Sequence, residues 1–300
     1  MEEESGITLS NSPTVHIDYV IENELKKVQH NHFMASLQKT KSEEEIINFL
    51  KDYDSIAMAK MDGLTCSIRY LDGVLVSAET RGNGEVGEDI THNIVCVKGV
   101  PLEIPIKEEF IVDGEVICTY EDFKEFSEQY ANPRNFAAGS IRLLDAGECA
   151  KRHLTFVAWD CIKGLDNYKN LNGKLLALDN LGFIIVPCLV LPKEIIDLGH
   201  IKHANLLLQN TAKEFGYPID GIVYKYDDCE LYSSLGMTSH HPKAAYAFKF
   251  YDEEYETYLH DIEYTMGKTG VLTPVAVFDE VDTGDSYVTR ASLHNLNIMR

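Results

Sequence analysis

Apolar and polar residues change period several times along the chain, and each change marks an element. Ser42 followed by Glu45, with Ile46, Ile47, Leu50 and Tyr53 behind it, predicts a capped amphipathic helix. Ile56-Ala57-Met58-Ala59-Lys60-Met61-Asp62-Gly63 then reads as an apolar strand with Ile56, Met58 and Lys60 on one side, closed by an acid and a turn glycine. Runs 64–71 and 74–80, joined at Asp72-Gly73, predict an antiparallel hairpin. Further strands are predicted at 110–118, 154–162, 220–225 and 245–250. An amphipathic helix is predicted over 120–130 through Phe123, Phe126 and Tyr130, and Asn132-Pro133-Arg134-Asn135 opens a small-residue helix. Two more helices end near Gly182 and at Gly216. Residues 1–30 are weakly patterned, with a loop at Ser12-Pro13-Thr14. Beyond Asp252-Glu253-Glu254, residues 258–300 read as short strands punctuated by Gly267, Gly270 and Gly284. About three strands fit there, too few to close a five-stranded barrel. The expected class is α+β, with antiparallel sheets flanked by helices.

Composition narrows the function classes. Of the 300 residues 45% are hydrophobic, enough for a packed core and two domains. No apolar run is long enough to span a membrane, and the acidic N-terminus lacks the order of a signal peptide. Seven cysteines without a C-x-x-C pair argue against a zinc site and a disulfide framework, and suit a reducing cytoplasm. His240-His241 reads as loop. A net charge of −21 cuts against a broad nucleic-acid surface, yet leaves room for phosphate chemistry in one focused cleft.

Three apolar strands carry a lysine at or near the end: Lys60, Lys225 and Lys249. Converging cations would hold an anion and lower the pKa of one amine, making it a nucleophile; the alternative for Lys60 is a surface lysine before a turn. Glu115 interrupts an apolar strand, so it faces either solvent or a cation. Trp159, the one tryptophan, suits core packing or stacking on a base. Gly82-Asn83-Gly84-Glu85-Val86-Gly87 fits G-x-G-x-x-G, but it leaves a hairpin rather than opening a strand–helix–strand unit, so a Rossmann reading is rejected.

The ordered set Lys60-x-Asp-Gly, Thr80-Arg-Gly, Gly87-Glu-Asp-Ile-Thr91, Asp113-Gly-Glu115, Asn132-Pro-Arg-Asn135, Asp220-Gly and Lys249 resembles the adenylation (nucleotidyltransferase) domain of NAD+-dependent DNA ligases. Gly270-Val-Leu-Thr-Pro-Val-Ala276 and Arg290-Ala-Ser-Leu-His-Asn295 look like the start of that family's OB domain. The resemblance implies an N-terminal extension and helix over 1–53, an adenylation domain over 54–252 and an incomplete OB segment over 253–300. It implies that Lys60 takes AMP from NAD+ and passes it to the 5′-phosphate of nicked double-stranded DNA. Lys225 and Lys249 would hold the α-phosphate, Glu115 and Asp220 a Mg2+ or Mn2+ ion, and Asp62 and Arg81 the nucleotide. Trp159 would stack on adenine, Ser36 and Leu37 border the pocket, and Arg134 and Arg142 contact the leaving group or DNA. Departures are Met58, where the family has a glutamate contacting adenine, Gln38 for a common acid, and Tyr251 for a proline. The family's nicotinamide-gripping, zinc, helix-hairpin-helix and BRCT parts have no counterpart here, so a longer chain or a second subunit, as in split phage ligases, is expected to complete it. That places the chain in the cytoplasm, the host's if phage-encoded. An ATP-dependent ligase of the same fold and a degenerate binding subunit are the alternatives.

Overall fold

A computed structural model of the chain describes residues 24–238, 241–250, 256–266, 272–282 and 287–293. Two sheets frame the site. The first runs in the order β2-β11-β10-β3-β9, from β2 (Gln38–Thr40), β3 (Ser55–Met61), β9 (Cys188–Leu191), β10 (Ile219–Tyr226) and β11 (Ala245–Lys249). Its neighbours are antiparallel except β2 and β11. The second, entirely antiparallel, runs β5-β4-β7-β8, from β4 (Leu64–Leu71), β5 (Val74–Thr80), β7 (Phe110–Ile117) and β8 (Thr155–Lys163). The α+β expectation holds.

β3 is apolar almost throughout because both its faces are covered. Ile56 and Met58 belong to the core shared with the second sheet, whereas Ala57 joins a second core with Ile46, Leu50, Leu208, Ile222 and Tyr224. The predicted helix forms at Glu43–Leu50, and the Ser42 side chain accepts from the Glu45 amide. That cap is worth about 1 kcal/mol, whereas the fully buried Ile46 and Leu50 contribute about 1.5–3 kcal/mol each, so packing fixes this helix. Tyr53 lies beyond its end, with its ring against Tyr226.

The β4–β5 hairpin forms as predicted. Asp72 and Gly73 have φ of 53° and 81°, as a type I′ turn demands. The glycine-rich segment is a turn as well: it returns the chain into β6 (Val86–Glu88), which pairs antiparallel with β1 (Lys27–Gln29). No dinucleotide-type helix opens from it. The 120–130 helix is shorter than predicted: an α-turn at Tyr120–Phe123 is followed by a 3-10 turn at Lys124–Phe126. Phe123, Phe126 and Tyr130 converge on Phe136, with ring centroids at 5.9, 4.4 and 5.0 Å. A continuous helix would spread the first and last over about 10 Å of axis, so the chain tightens instead.

β12 (Leu259–Met266), β13 (Leu272–Asp282) and β14 (Tyr287–Ser292) form a three-stranded antiparallel sheet, in line with the partial barrel read from sequence. Ser12-Pro13-Thr14, His240, Tyr251, the acidic break at 252–254, Gly267, Gly270, Gly284 and Asn295 lie outside the described residues. Among the described residues no helix is long and apolar enough to cross a membrane.

Candidate active site

Register brings two of the three strand lysines together. Lys60 on β3 and Lys249 on β11 both pair with Gly221 on the intervening β10, from opposite sides. A β-carbon on Gly221 would lie 2.2 Å from the Phe248 carbonyl oxygen, so a larger residue would wedge the strands apart. The β3–β10 register shifts between Ile219 and Gly221, and this irregularity releases Asp220 from the pairing. Its carboxylate meets Lys60 Nζ at 2.8 Å and Lys249 Nζ at 2.8 Å. Burial pushes the Asp220 pKa up, but the two ammonium groups outweigh it and hold the acid below its usual range.

Facing this cluster, β7 presents Glu115, whose register partner on β4 is Thr65. Burial raises the Glu115 pKa to about 7, against the opposing pull of Lys60, the Thr65 hydrogen bond, Arg81 and Arg134. Asp62, at the exit of β3, accepts from Arg134 at 3.2 Å. Gly63 follows because a β-carbon there would sit 2.2 Å from the Val116 carbonyl oxygen. Asn132 caps the helix Pro133–Ser140 that carries Arg134, its side chain accepting from the Asn135 amide.

One expected participant stands elsewhere. Lys225 does not converge with Lys60 and Lys249. Its register partners are Ile56 and Ala245, four residues back along the sheet, or about 13 Å at the rise of a strand. There Lys225 Nζ donates to Asp160 at 2.6 Å and lies 5.7 Å from the Trp159 ring centroid and 4.7 Å from that of Tyr232. Burial alone would lower its pKa, but Asp160 reverses the sign and keeps it charged. Strand ends gave no register, and sequence position alone could not separate the two ends of β10. Arg142, expected at the leaving group or DNA, pairs with Glu88 at 2.7 Å, and both side chains are substantially exposed. Trp159 is half-buried and packs at the edge of the first core. Leu37 is half-buried, while Ser36 is exposed, its hydroxyl 3.1 Å from His241 Nδ1.

Comparison with known proteins settles which family the chain belongs to. Residues 22–253 match the family model described as the NAD-dependent DNA ligase adenylation domain, and residues 256–300 match the NAD-dependent DNA ligase OB-fold domain. The chain belongs to the NAD-dependent DNA ligase family. A DNA ligase of Lachnoclostridium phytofermentans is 38% identical over 308 residues, covering 100% of this chain and 46% of that protein. One of Petrotoga mobilis is 35% identical over 307 residues, covering 96% and 46%. The chain thus spans about half the length of the curated relatives it matches. A solved structure named Pmar-Lig_PreS3 shares the fold, with a TM-score of 0.50 and 14% identity over 88% of this chain and 56% of that one.

Within this site, several residues carried no role in the sequence reading. Lys39 on β2 is the register partner of Ala247; its pKa is lowered, first by partial burial and then by Lys249 and Lys60. It supplies the third cation that Lys225 does not. Its strand of three residues, Gln38–Thr40, is too short to show a period. Glu79, Ser67, Asp113 and Asp160 are successive register partners across β5, β4, β7 and β8, forming an acidic row. Each acid has its own counter-group: His30 for Glu79 at 3.5 Å, His32 for Asp113 at 2.8 Å and Lys225 for Asp160. Burial opposes charge on His32, but Asp113 raises its pKa overall. Only the pairing of distant strands reveals this row.

Proposed function

We propose that residues 54–252 form an adenylyltransferase unit of an NAD+-dependent DNA ligase, that 253–300 begin its OB domain, and that Lys60 is the nucleophile. The carrying observation is that Lys60 and Lys249 share Asp220 while Lys60 also acts electrostatically on the buried Glu115, within a chain of this family. The Lys60 amine, as its lone pair, forms an N–P bond to the α-phosphorus of NAD+. The bond from that phosphorus to the bridging oxygen breaks, its electrons leave with nicotinamide mononucleotide, and a proton departs from the amine. AMP then moves to a 5′-phosphate at a DNA nick as the N–P bond breaks. Attack by the 3′-hydroxyl oxygen expels AMP, releases its proton and seals the strand.

Lys249 and Lys39 offset charge on the α-phosphate, with electrostatic complementarity as the main catalytic term. Arg134, with Asp62, holds the pyrophosphate side, and Arg81 the nucleotide near Glu115. Lys225 and Trp159 serve the base end, some distance from the phosphate. Ser36 and Leu37 border the nucleotide, and Arg142 is left for DNA phosphates. Among the described residues no group of three or more His, Cys, Asp or Glu could cage a metal. Two carboxylates around one lysine nevertheless suit Mg2+, which is held by one or two carboxylates plus substrate phosphates. Glu115 and Asp220 would hold it, and the cation would favour the neutral amine and the developing phosphate charge.

With a net charge of −21 and less than half the length of its relatives, the 300-residue chain is not expected to seal nicks alone; further segments or a second subunit would grip the DNA. The test is intact mass after incubation with Mg2+ and NAD+ or ATP, with and without such segments. An AMP adduct from NAD+ that is absent in Lys60→Ala supports the proposal. An adduct from ATP alone, or none under any condition, refutes it.

A further inference from the structure

We infer that Asp160 is a specificity-determining residue that reads the exocyclic amine of adenine, with Lys225 donating beside it to the ring nitrogen. The inference rests on the nucleotidyl-transfer reading above and concerns the base end of that site. Three observations carry it.

First, Trp159 and Asp160 are consecutive and would ordinarily point to opposite faces of β8. The register with β7 pairs Asp113 with Asp160 and Gly114 with Ala158, leaving Trp159 as the extra residue of a bulge. Such a bulge re-aims side chains, and both Trp159 and Asp160 reach the head of Lys225. A stacking ring, a carboxylate and an ammonium therefore meet at one place.

Second, on the β3 face that carries Lys60, the two positions level with Lys225 and Val223 are the apolar Ile56 and Met58. Met58 lies on the same face as Lys60, is buried to 2% exposure and has the apolar Val223 as its register partner. Its thioether is a weak acceptor and cannot replace a carboxylate. Asp113, the register neighbour of Asp160, is already engaged by His32 at 2.8 Å and is 2% exposed. Asp160 is the more open of the two, with its side chain 15% exposed.

Third, the chemistry of the pair matches one base. Adenine presents an amine donor beside a ring-nitrogen acceptor, the complement of a carboxylate next to an ammonium. Hypoxanthine presents a carbonyl and an N–H in those positions. In the same pose it would set its oxygen against Asp160 and its N–H against Lys225. Lys225 also lies about 13 Å along the strand from the level of Lys60, which suits a purine edge whose α-phosphate is at the nucleophile.

The test is calorimetric titration of the chain with AMP and with IMP, a readout independent of turnover. Wild type should bind AMP more tightly on the order of 100-fold, because a buried polar pair left unsatisfied rejects the analogue strongly. Asp160→Asn should collapse that preference to within about 3-fold, since an amide can face either edge. Asp160→Glu keeps a counter-charge for Lys225 if the amide variant is poorly folded, and should cut the preference about 10-fold by misplacing the carboxylate. An AMP/IMP ratio unchanged in both variants, or equal losses for both nucleotides, would overturn the inference while leaving the proposed function standing. Failure of wild type to bind either nucleotide would remove the nucleotide reading itself, and the inference with it.

Discussion

Glu115 offers the most direct check on the electrostatics of the cleft. Its carboxyl titrates near 7 in the fold, against an ordinary 4.5, and burial is the dominant cause. The native state therefore holds its proton more tightly than the unfolded chain. Between pH 4.5 and 7 it binds more protons, and stability falls as pH rises through that window. Above about 7 the whole penalty is present. The gap between the two values corresponds to about 3 kcal/mol. Glu115→Gln keeps the shape and removes the ionisation, so it should be more stable than wild type at pH 8 by up to about 3 kcal/mol. At pH 4.5 the two should agree within about 1 kcal/mol, the worth of the altered hydrogen bond to Thr65. Urea unfolding followed by the fluorescence of Trp159, the single tryptophan, reads both directly. Added Mg2+ at pH 8 should stabilise wild type and leave the variant unmoved, because metal bound to the native state alone shifts the equilibrium by mass action. A stability gap that does not change with pH, or a wild type more stable than Glu115→Gln at pH 8, would refute the claim that burial dominates this carboxyl.

Three further outcomes are expected. Gly221→Ala should lower stability by about 2–4 kcal/mol in thermal unfolding, because its β-carbon meets the Phe248 carbonyl at 2.2 Å; a loss below 1 kcal/mol would mean that the sheet yields there. Arg134→Ala should slow lysyl-AMP formation at least about 10-fold by intact mass, whereas Arg142→Ala should leave it unchanged, since Arg134 pairs with Asp62 two residues after Lys60 and Arg142 pairs with the partly exposed Glu88. Lys39→Ala should weaken AMP binding about 3- to 10-fold in calorimetry at low salt, and the deficit should shrink as ionic strength rises, because Lys39 is largely exposed.

Local signals were read correctly where the physics is local. The Ser42 cap, the Asp72-Gly73 turn, the Asn132-Pro133 helix start and the glycines ending two helices each act within a few residues. The burial of both faces of β3 follows equally from its continuous apolar run. The 120–130 segment failed because its period is compatible with a helix, while Phe136 draws three rings to one point. The site divides in the same way. Lys60, Glu115 and Lys249 stand out as polar residues in or at the ends of apolar strands, whereas Asp62 and Asp220 are marked by the family resemblance. Their partners do not, because register decides them: Lys225 had to be separated from Lys249 by four rungs of β10, and Lys39 lies on a strand too short to read.

Register also reconciles a chain of net charge −21 with the phosphate-ester chemistry proposed for it. Around Lys60 stand Lys39, Lys249, Arg81 and Arg134, against Asp62, Asp220 and a Glu115 that is about half neutral near pH 7. The cleft is locally cationic while the molecule is strongly acidic. Coulomb interactions among exposed charges fade beyond about 10 Å at moderate salt, so a small ester reaching the cleft experiences the local sign. A DNA duplex, running tens of ångströms across the surface, meets the acidic remainder as well. The charge distribution therefore fits the proposed step on a compact dinucleotide. On the proposed reading, a grip on DNA would draw on cationic surface supplied by further segments or a second subunit.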